Sequence, residues 1–132
     1  MASASDHLEN QILNFYLNGT SVSPPTIWLS LHTADPLDAG SGTEVSGSAY
    51  GRENISAKFP TASGTGGSVT NDVAITGFTA DGGDWGTITH IGIWDAETSG
   101  NLLFHSALDS SVAITDGDSF QITATNLTVT IA

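Results

Sequence analysis

Four histidines, His7, His32, His90 and His105, are the residues best suited to chemistry in a chain that has no cysteine. His32, His90 and His105 fall on or beside segments that read as strands, so their imidazoles could converge on a zinc ion. Their spacing is not that of a compact ligand set, and strand histidines with ordinary hydrogen bonds are the simpler reading. Asp116-Gly117-Asp118 and Asp81-Gly82-Gly83-Asp84 could offer oxygens to calcium. Neither has the register of an EF-hand loop, and both read first as turns. Serine and threonine are abundant, but the chain has neither a G-x-S-x-G elbow nor a phosphate-binding G-x-x-x-x-G-K-[ST] loop. Paired acids such as Asp95 and Glu97 could act on a glycoside, yet they lie in a turn, where acids are expected anyway. Trp28, Trp85 and Trp94 could stack on sugars, but a small β-protein also needs such side chains for its core or for subunit contacts. The residues therefore predict no catalytic group, no cofactor and no metal. Asn18-Gly19-Thr20 and Asn126-Leu127-Thr128 match the N-glycosylation pattern, which without a secretion signal reads as accidental.

The elements that must position these residues are organised around Thr87 to Leu108. Ile91 and Ile93 point to one side of an extended strand, His90 and Trp94 to the other. Residues 95–101 read as a turn, and Leu102 to His105 begin a second strand, so the stretch predicts a β-hairpin. Apolar residues on both faces predict that it is covered on both. Upstream, Asp6-His7-Leu8-Glu9 is a capping-box pattern. Leu8, Ile12, Phe15 and Tyr16 then recur on one helical face, and Asn18-Gly19 is a stop signal. The reading is a helix from about Asp6 to Leu17, packed by one stripe on its own domain or on a neighbour.

Pro24-Pro25 interrupts any ladder. Thr26 to His32 alternates as a half-buried strand, Ile27, Leu29 and Leu31 against Trp28, Ser30 and His32. Residues 33–51 form a long polar loop, which suggests function or a subunit contact, anchored by Val45 and Tyr50. Arg52 opens a further strand in which Ile55, Ala57 and Phe59 alternate, with Pro60 closing it. Parity slips near Gly77, which reads as a bulge. It slips again at Thr125-Asn126, which reads as a bulge, a corner or a break between two strands. Asp109 to Ile114 reads as a connection with a short strand. About seven to nine short strands with Gly-rich turns predict an all-β fold. The expected architecture is an antiparallel β-sandwich, wired as a jelly roll, with one N-terminal amphipathic helix. Residues 1–25 form a helix-and-loop arm, and residues 26–132 the sandwich domain.

Composition narrows the function. The 132 residues suffice for one domain with one core. Fourteen acids against two basic residues, Arg52 and Lys58, give a net charge of -12. That balance argues against direct nucleic-acid binding and against an anionic membrane surface. The absence of cysteine leaves the redox compartment open. The opening residues lack the basic region and apolar run of a signal peptide. No apolar run approaches the ~20 residues of a membrane span.

Several motifs in order carry a resemblance. Leu31-His32-Thr33-Ala34-Asp35-Pro36 is followed by Glu44-Val45-Ser46-Gly47 and Tyr50-Gly51-Arg52. Further on stand Asp84-Trp85-Gly86-Thr87-Ile88-Thr89-His90-Ile91-Gly92-Ile93 and Gly100-Asn101-Leu102-Leu103-Phe104-His105. Gly117-Asp118 and Asn126-Leu127-Thr128-Val129 complete the set. From Ile27 to the end the chain resembles a family of small tailed-bacteriophage virion proteins, often labelled tail fibre protein. One departure is Gly51, where alanine is usual. In size and expected fold it is also similar to phage capsid cement proteins. The resemblance implies a non-enzymatic structural protein. The first expectation is a capsid cement or decoration protein on the outer surface of the capsid, bridging copies of the major capsid protein. The alternative is a tail fibre or tail-tip protein binding a host surface or glycan. A homo-dimer or homo-trimer is expected. The expected protein-contact residues are Leu8, Ile12, Phe15, Tyr16, Trp28, Tyr50 and Arg52, with Glu44 or Glu53 as internal partners that Arg52 could take instead.

Overall fold

The structure, a computed structural model, describes residues 1–131. Among the described residues nine strands and one helix are formed: β1 (Ser3–Ala4), α1 (Asp6–Asn18), β2 (Trp28–His32), β3 (Glu53–Asn54), β4 (Ser68–Thr70), β5 (Ile75–Thr79), β6 (Gly86–Trp94), β7 (Leu102–Ile114), β8 (Ser119–Ile122) and β9 (Thr128–Thr130). A five-stranded sheet has the order β1-β7-β6-β2-β3, and β4-β9 and β5-β8 form two-stranded ribbons. All strand pairs are antiparallel. One core joins Leu29, Leu31, Ile91 and Ile93 of the large sheet to Ile75, Phe78, Phe120, Ile122 and Val129 of the ribbons. The fold is therefore all-β and sandwich-like, with one N-terminal helix. Its ladders divide five, two and two, whereas a fully laddered jelly roll carries about eight strands in two sheets.

The β6–β7 hairpin forms where the alternation placed it. Its turn is closed by Asp95, whose carboxylate accepts from the Asn101 backbone N–H at 2.7 Å and from Asn101 Nδ2 at 2.9 Å. β7 is longer than expected. It continues through Asp109 to Ile114, because the first residues of β6 pair with its far end, Gly86 with Ile114 and Ile88 with Val112. The strand expected after Arg52 is shorter. β3 holds only two residues, since the Asn54 side chain accepts from the Ser56 N–H at 3.0 Å and turns the chain. The slip at Gly77 is a register shift between Ile75 and Phe78. Gly77 has φ 116°, and a Cβ there would stand 2.5 Å from the Glu53 carboxyl carbon. The second slip separates β8 from β9, with Thr125 at φ 69°. Asn71 holds that corner from inside. Its Nδ2 donates to the Val73 and Thr123 carbonyls at 3.0 and 3.1 Å, and its Oδ1 accepts from the Leu127 N–H at 2.8 Å.

Residues 2–4 of the expected arm are woven into the sheet. Ser3 and Ala4 pair with His105 and Phe104, and Ala2 lies in the core. The helix cap sits one residue before the capping-box reading. Ser5, not Asp6, accepts from the Leu8 N–H at 3.3 Å, and its hydroxyl also donates to the Leu102 carbonyl. The cap thereby fixes the root of α1 to β7. Gly19, at φ 69°, ends the helix in the left-handed conformation.

Candidate functional site

Two regions hold the residues with functional potential: the outer face of β2 and β6, and the apolar stripe of α1. The outer face begins with β2. The sequence predicted a half-buried strand, but from Leu29 to His32 every residue is buried. Leu29 and Leu31 enter the main core, while Ser30 and His32 enter a second layer on the opposite face. That layer exists because loop 33–51 folds back over it.

The loop also completes the edge of β2. β3 pairs only with Trp28 and Leu29, so Leu31 extends beyond it. The Leu31 N–H donates to the Tyr50 hydroxyl at 3.0 Å, and its carbonyl accepts from the Val45 N–H at 3.0 Å. Buried backbone groups need such partners, and a loop of this length supplies them. The Tyr50 hydroxyl donates in turn to Glu44 Oε1 at 2.9 Å. Arg52 grips the same carboxylate with two bonds, Nε to Oε1 at 2.9 Å and Nη2 to Oε2 at 2.8 Å. Its Nη1 donates to the carbonyls of Ala96 and Ser99, both at 2.9 Å. The guanidinium lies 4.0 Å from the Trp94 ring centroid, a cation–π contact. Of the two internal partners expected for Arg52, the structure selects Glu44. Burial raises the Glu44 carboxyl, but the Arg52 and Tyr50 hydrogen bonds outweigh it and hold the group below its usual range. Burial pushes the Tyr50 phenol up.

Beneath Trp94 lies a serine–histidine pair. Ser30 Oγ and His32 Nε2 are 2.7 Å apart, Trp94 Nε1 donates to Ser30 Oγ at 2.7 Å, and Ser30 Oγ donates to the Gly92 carbonyl at 3.3 Å. All donors are satisfied if His32 carries its proton on Nε2 and gives it to Ser30. Nδ1, which has no hydrogen-bond partner, is then a bare lone pair. Protonating it would place a charged N–H with no acceptor, and burial lowers the His32 pKa to about 4. The pair lacks the arrangement of a nucleophile and its base. Ser30 and His32 are both fully buried, and no carboxylate orients Nδ1. It is a packed polar layer under the loop.

The other histidines and acids take separate places. His90 Nδ1 meets Thr89 Oγ1 at 2.9 Å. His105 contacts Asp38 at 2.8 Å and Asp35 at 3.6 Å, which ties the loop to β7. The two acidic turns bond to each other: Asp116 accepts from the Gly82 N–H at 2.9 Å, and Asp84 from the Asp116 N–H at 2.8 Å. Among the described residues no group of three or more His, Asp or Glu is arranged to hold a metal.

The stripe on α1 is the opposite case. No residue of the helix is buried. Leu8 and Ile12 are half-buried, whereas Phe15, Tyr16 and Leu17 are 46%, 77% and 81% exposed. Leu8, Ile12, Phe15 and Tyr16 line a shallow apolar groove of 230 Å³ with Val22. The Phe15 and Tyr16 rings meet edge to face at 5.0 Å. Among the expected contact residues, this stripe is the set open to a neighbour. Trp28 is half-exposed on β2, Tyr50 is half-buried within the clamp, and the Arg52 side chain is only 6% exposed. The sequence signal for the stripe was its helical spacing. Asn71 and Ser30 gave no comparable signal, because they act through partners distant in sequence, and nothing local announced the bond of Ser5 to Leu102.

The fold is an all-β sandwich with a largely exposed N-terminal helix, and the class it belongs to, by its family match, is the structural proteins of the phage virion. The family model for the podophage GP4 fiber I protein gp80 matches residues 3–130, and the chain belongs to this family. The match reaches back over α1, beyond the region from Ile27 that carried the resemblance in sequence. A comparison with curated proteins finds no match.

Proposed function

We propose that this protein is a non-catalytic building unit of the phage's fibre apparatus, joined to a second copy of itself through α1. The observation that carries the reading is the apolar stripe on α1, with Leu8 and Ile12 half-buried and Phe15 and Tyr16 exposed, on a helix rooted to β7 by Ser5. Apolar side chains held on a well-capped helix gain from burial only when another surface covers them. A fully exposed side chain of this kind gains roughly 1.5–3 kcal/mol on full burial, and a half-buried one correspondingly less. A homo-dimer or homo-trimer would cover them symmetrically. The family's description as a fibre protein supports a place on the tail rather than on the shell.

The capsid-cement reading has one observation in its favour, the net charge of -12. A strongly acidic protein suits an outer surface away from packaged DNA. In that reading the same stripe seats on the major capsid protein, and shell binding stabilises the particle by mass action. Two measurements separate the readings. Immunogold labelling of purified particles is expected to mark the tail region, with a copy number far below that of the shell subunit. Label spread over the capsid in hundreds of copies would replace fibre by cement. Sedimentation of the purified protein is expected to show a dimer or trimer, and a monomer at high concentration would remove self-association through α1.

A further inference from the structure

The five-stranded sheet is faced by two separate ribbons, and they do not close over it evenly. An open groove of 320 Å³ remains where the β4–β9 ribbon meets β6 and β7. Ile93 of β6 and Val129 of β9 are buried in it, Phe59, Val69 and Phe104 are half-buried, and Ile131 is 52% exposed at its edge. Among the described residues Ser68 is the only polar side chain of the lining, and no charged side chain takes part. Small-molecule sites set a few placed polar groups among apolar walls to orient the ligand. This groove lacks them, so it suits an apolar surface of another protein.

The charge pattern says which protein. Two copies with a net charge of -12 each repel, so a contact between them must fall where acids are absent. Residues 10–31, 59–71 and 119–131 carry no charged side chain. The first stretch holds Ile12, Phe15 and Tyr16 of α1. The other two supply Phe59, Val69, Val129 and Ile131 of the groove. Leu8, Ile12 and Phe15 stand at i, i+4 and i+7, the spacing with which an amphipathic helix anchors in an apolar groove. A ridge on a recess covers both surfaces, whereas a helix-to-helix contact leaves the groove open. A copy does not fill its own groove. No residue of α1 lines it, and Ser5 holds the helix root to Leu102 and Leu103.

We propose that the apolar face of α1 from one copy seats in the β4–β9 groove of a second copy, with Phe15 and Tyr16 entering it. The inference rests on the reading of α1 as the self-association element and names the surface that receives it. Such a contact joins two different surfaces, so copies either close into a ring or exchange helices in a reciprocal pair. The test uses the full-length protein. Ala62 lines the groove at an exposed position. Ala62→Glu is therefore expected to leave Tm unchanged and to weaken self-association in sedimentation about tenfold, or about 1.4 kcal/mol. The chain has no cysteine, so Tyr16→Cys and Ala62→Cys can be made singly and mixed under oxidising conditions. A disulfide joining the two variants is expected. The proposal is overturned if Ala62→Glu self-associates like the unaltered protein, or if Tyr16→Cys links only to itself or not at all. Any of these results, with the unaltered protein still associating, leaves α1 free to act by a helix-to-helix contact. An unaltered protein that stays monomeric at high concentration removes both readings.

Discussion

The outer face of β2 and the outer face of α1 are both rich in aromatic and apolar side chains, and the protein treats them in opposite ways. Over β2, Trp94 is buried, stacked on Arg52 and hydrogen-bonded to Ser30. On α1, Phe15 and Tyr16 meet only each other and their own groove. A loop of nearly twenty residues folds back to close the first face, while nothing among the described residues closes the second. The difference teaches that exposure on α1 is not a shortage of covering chain. The molecule has a loop long enough to cover a face, and uses it where strand β2 would otherwise leave the Leu31 N–H and carbonyl unpaired. An apolar helix face leaves no such polar groups stranded, so it can stay open until a partner arrives.

The largest effect that could sharpen this contrast is expected from Trp94→Ala. It removes a buried aromatic and the donor to Ser30, and should destabilise the fold by about 3–5 kcal/mol, measured by urea denaturation. A loss below ~1 kcal/mol would mean that the loop layer is not part of the cooperative fold.

Next comes Arg52→Ala, which leaves the Glu44 carboxylate without its bidentate partner under the loop. Breaking a largely buried pair costs about 3 kcal/mol, and hydrogen exchange should rise through residues 33–51. Arg52→Lys should recover only part of the loss, because a lysine cannot reproduce the fork that reaches Glu44, Ala96 and Ser99 together.

A smaller and reversible effect is expected from acid. The His32 pKa is lowered to about 4 in the folded protein, so as pH falls the unfolded chain takes up that proton first. Its contribution is full above the ordinary histidine value of 6.5 and is lost progressively toward about 4. Glu44, held below its usual 4.5, adds a second loss below that value. Tm should therefore decline between these limits, and His32→Gln should flatten the upper part of the decline. An unchanged slope in that variant would remove His32 as the cause.

The smallest effect on stability is expected on α1. Phe15→Ala with Tyr16→Ala should change unfolding free energy by no more than about 0.5 kcal/mol, yet abolish self-association in sedimentation. A loss of more than ~2 kcal/mol would show that the face already has an intramolecular partner, and the contrast between the two regions would fail.

Glycine, asparagine and aspartate at the turns, alternation in the strands and the spacing of Leu8, Ile12, Phe15 and Tyr16 were enough to place the hairpin, the helix, both parity slips and the all-β class. Those signals are local: they report which residues share a face and where the chain must turn. What lies over a face is a different matter. That β2 is buried on both sides, that Arg52 chooses Glu44 over Glu53, and that β7 runs on to Ile114 depend on segments far apart in the chain. Ser5 reaches Leu102 across 97 positions, and Asn71 reaches Leu127 across 56. A serine or an asparagine has the same local preferences whether its distant partner is present or not. The sequence by itself therefore determined most of the elements and the apolar stripe on α1, but not whether that stripe was covered. Only the tertiary structure decided which polar groups met, which faces were closed, and where a groove was left beside β4 and β9.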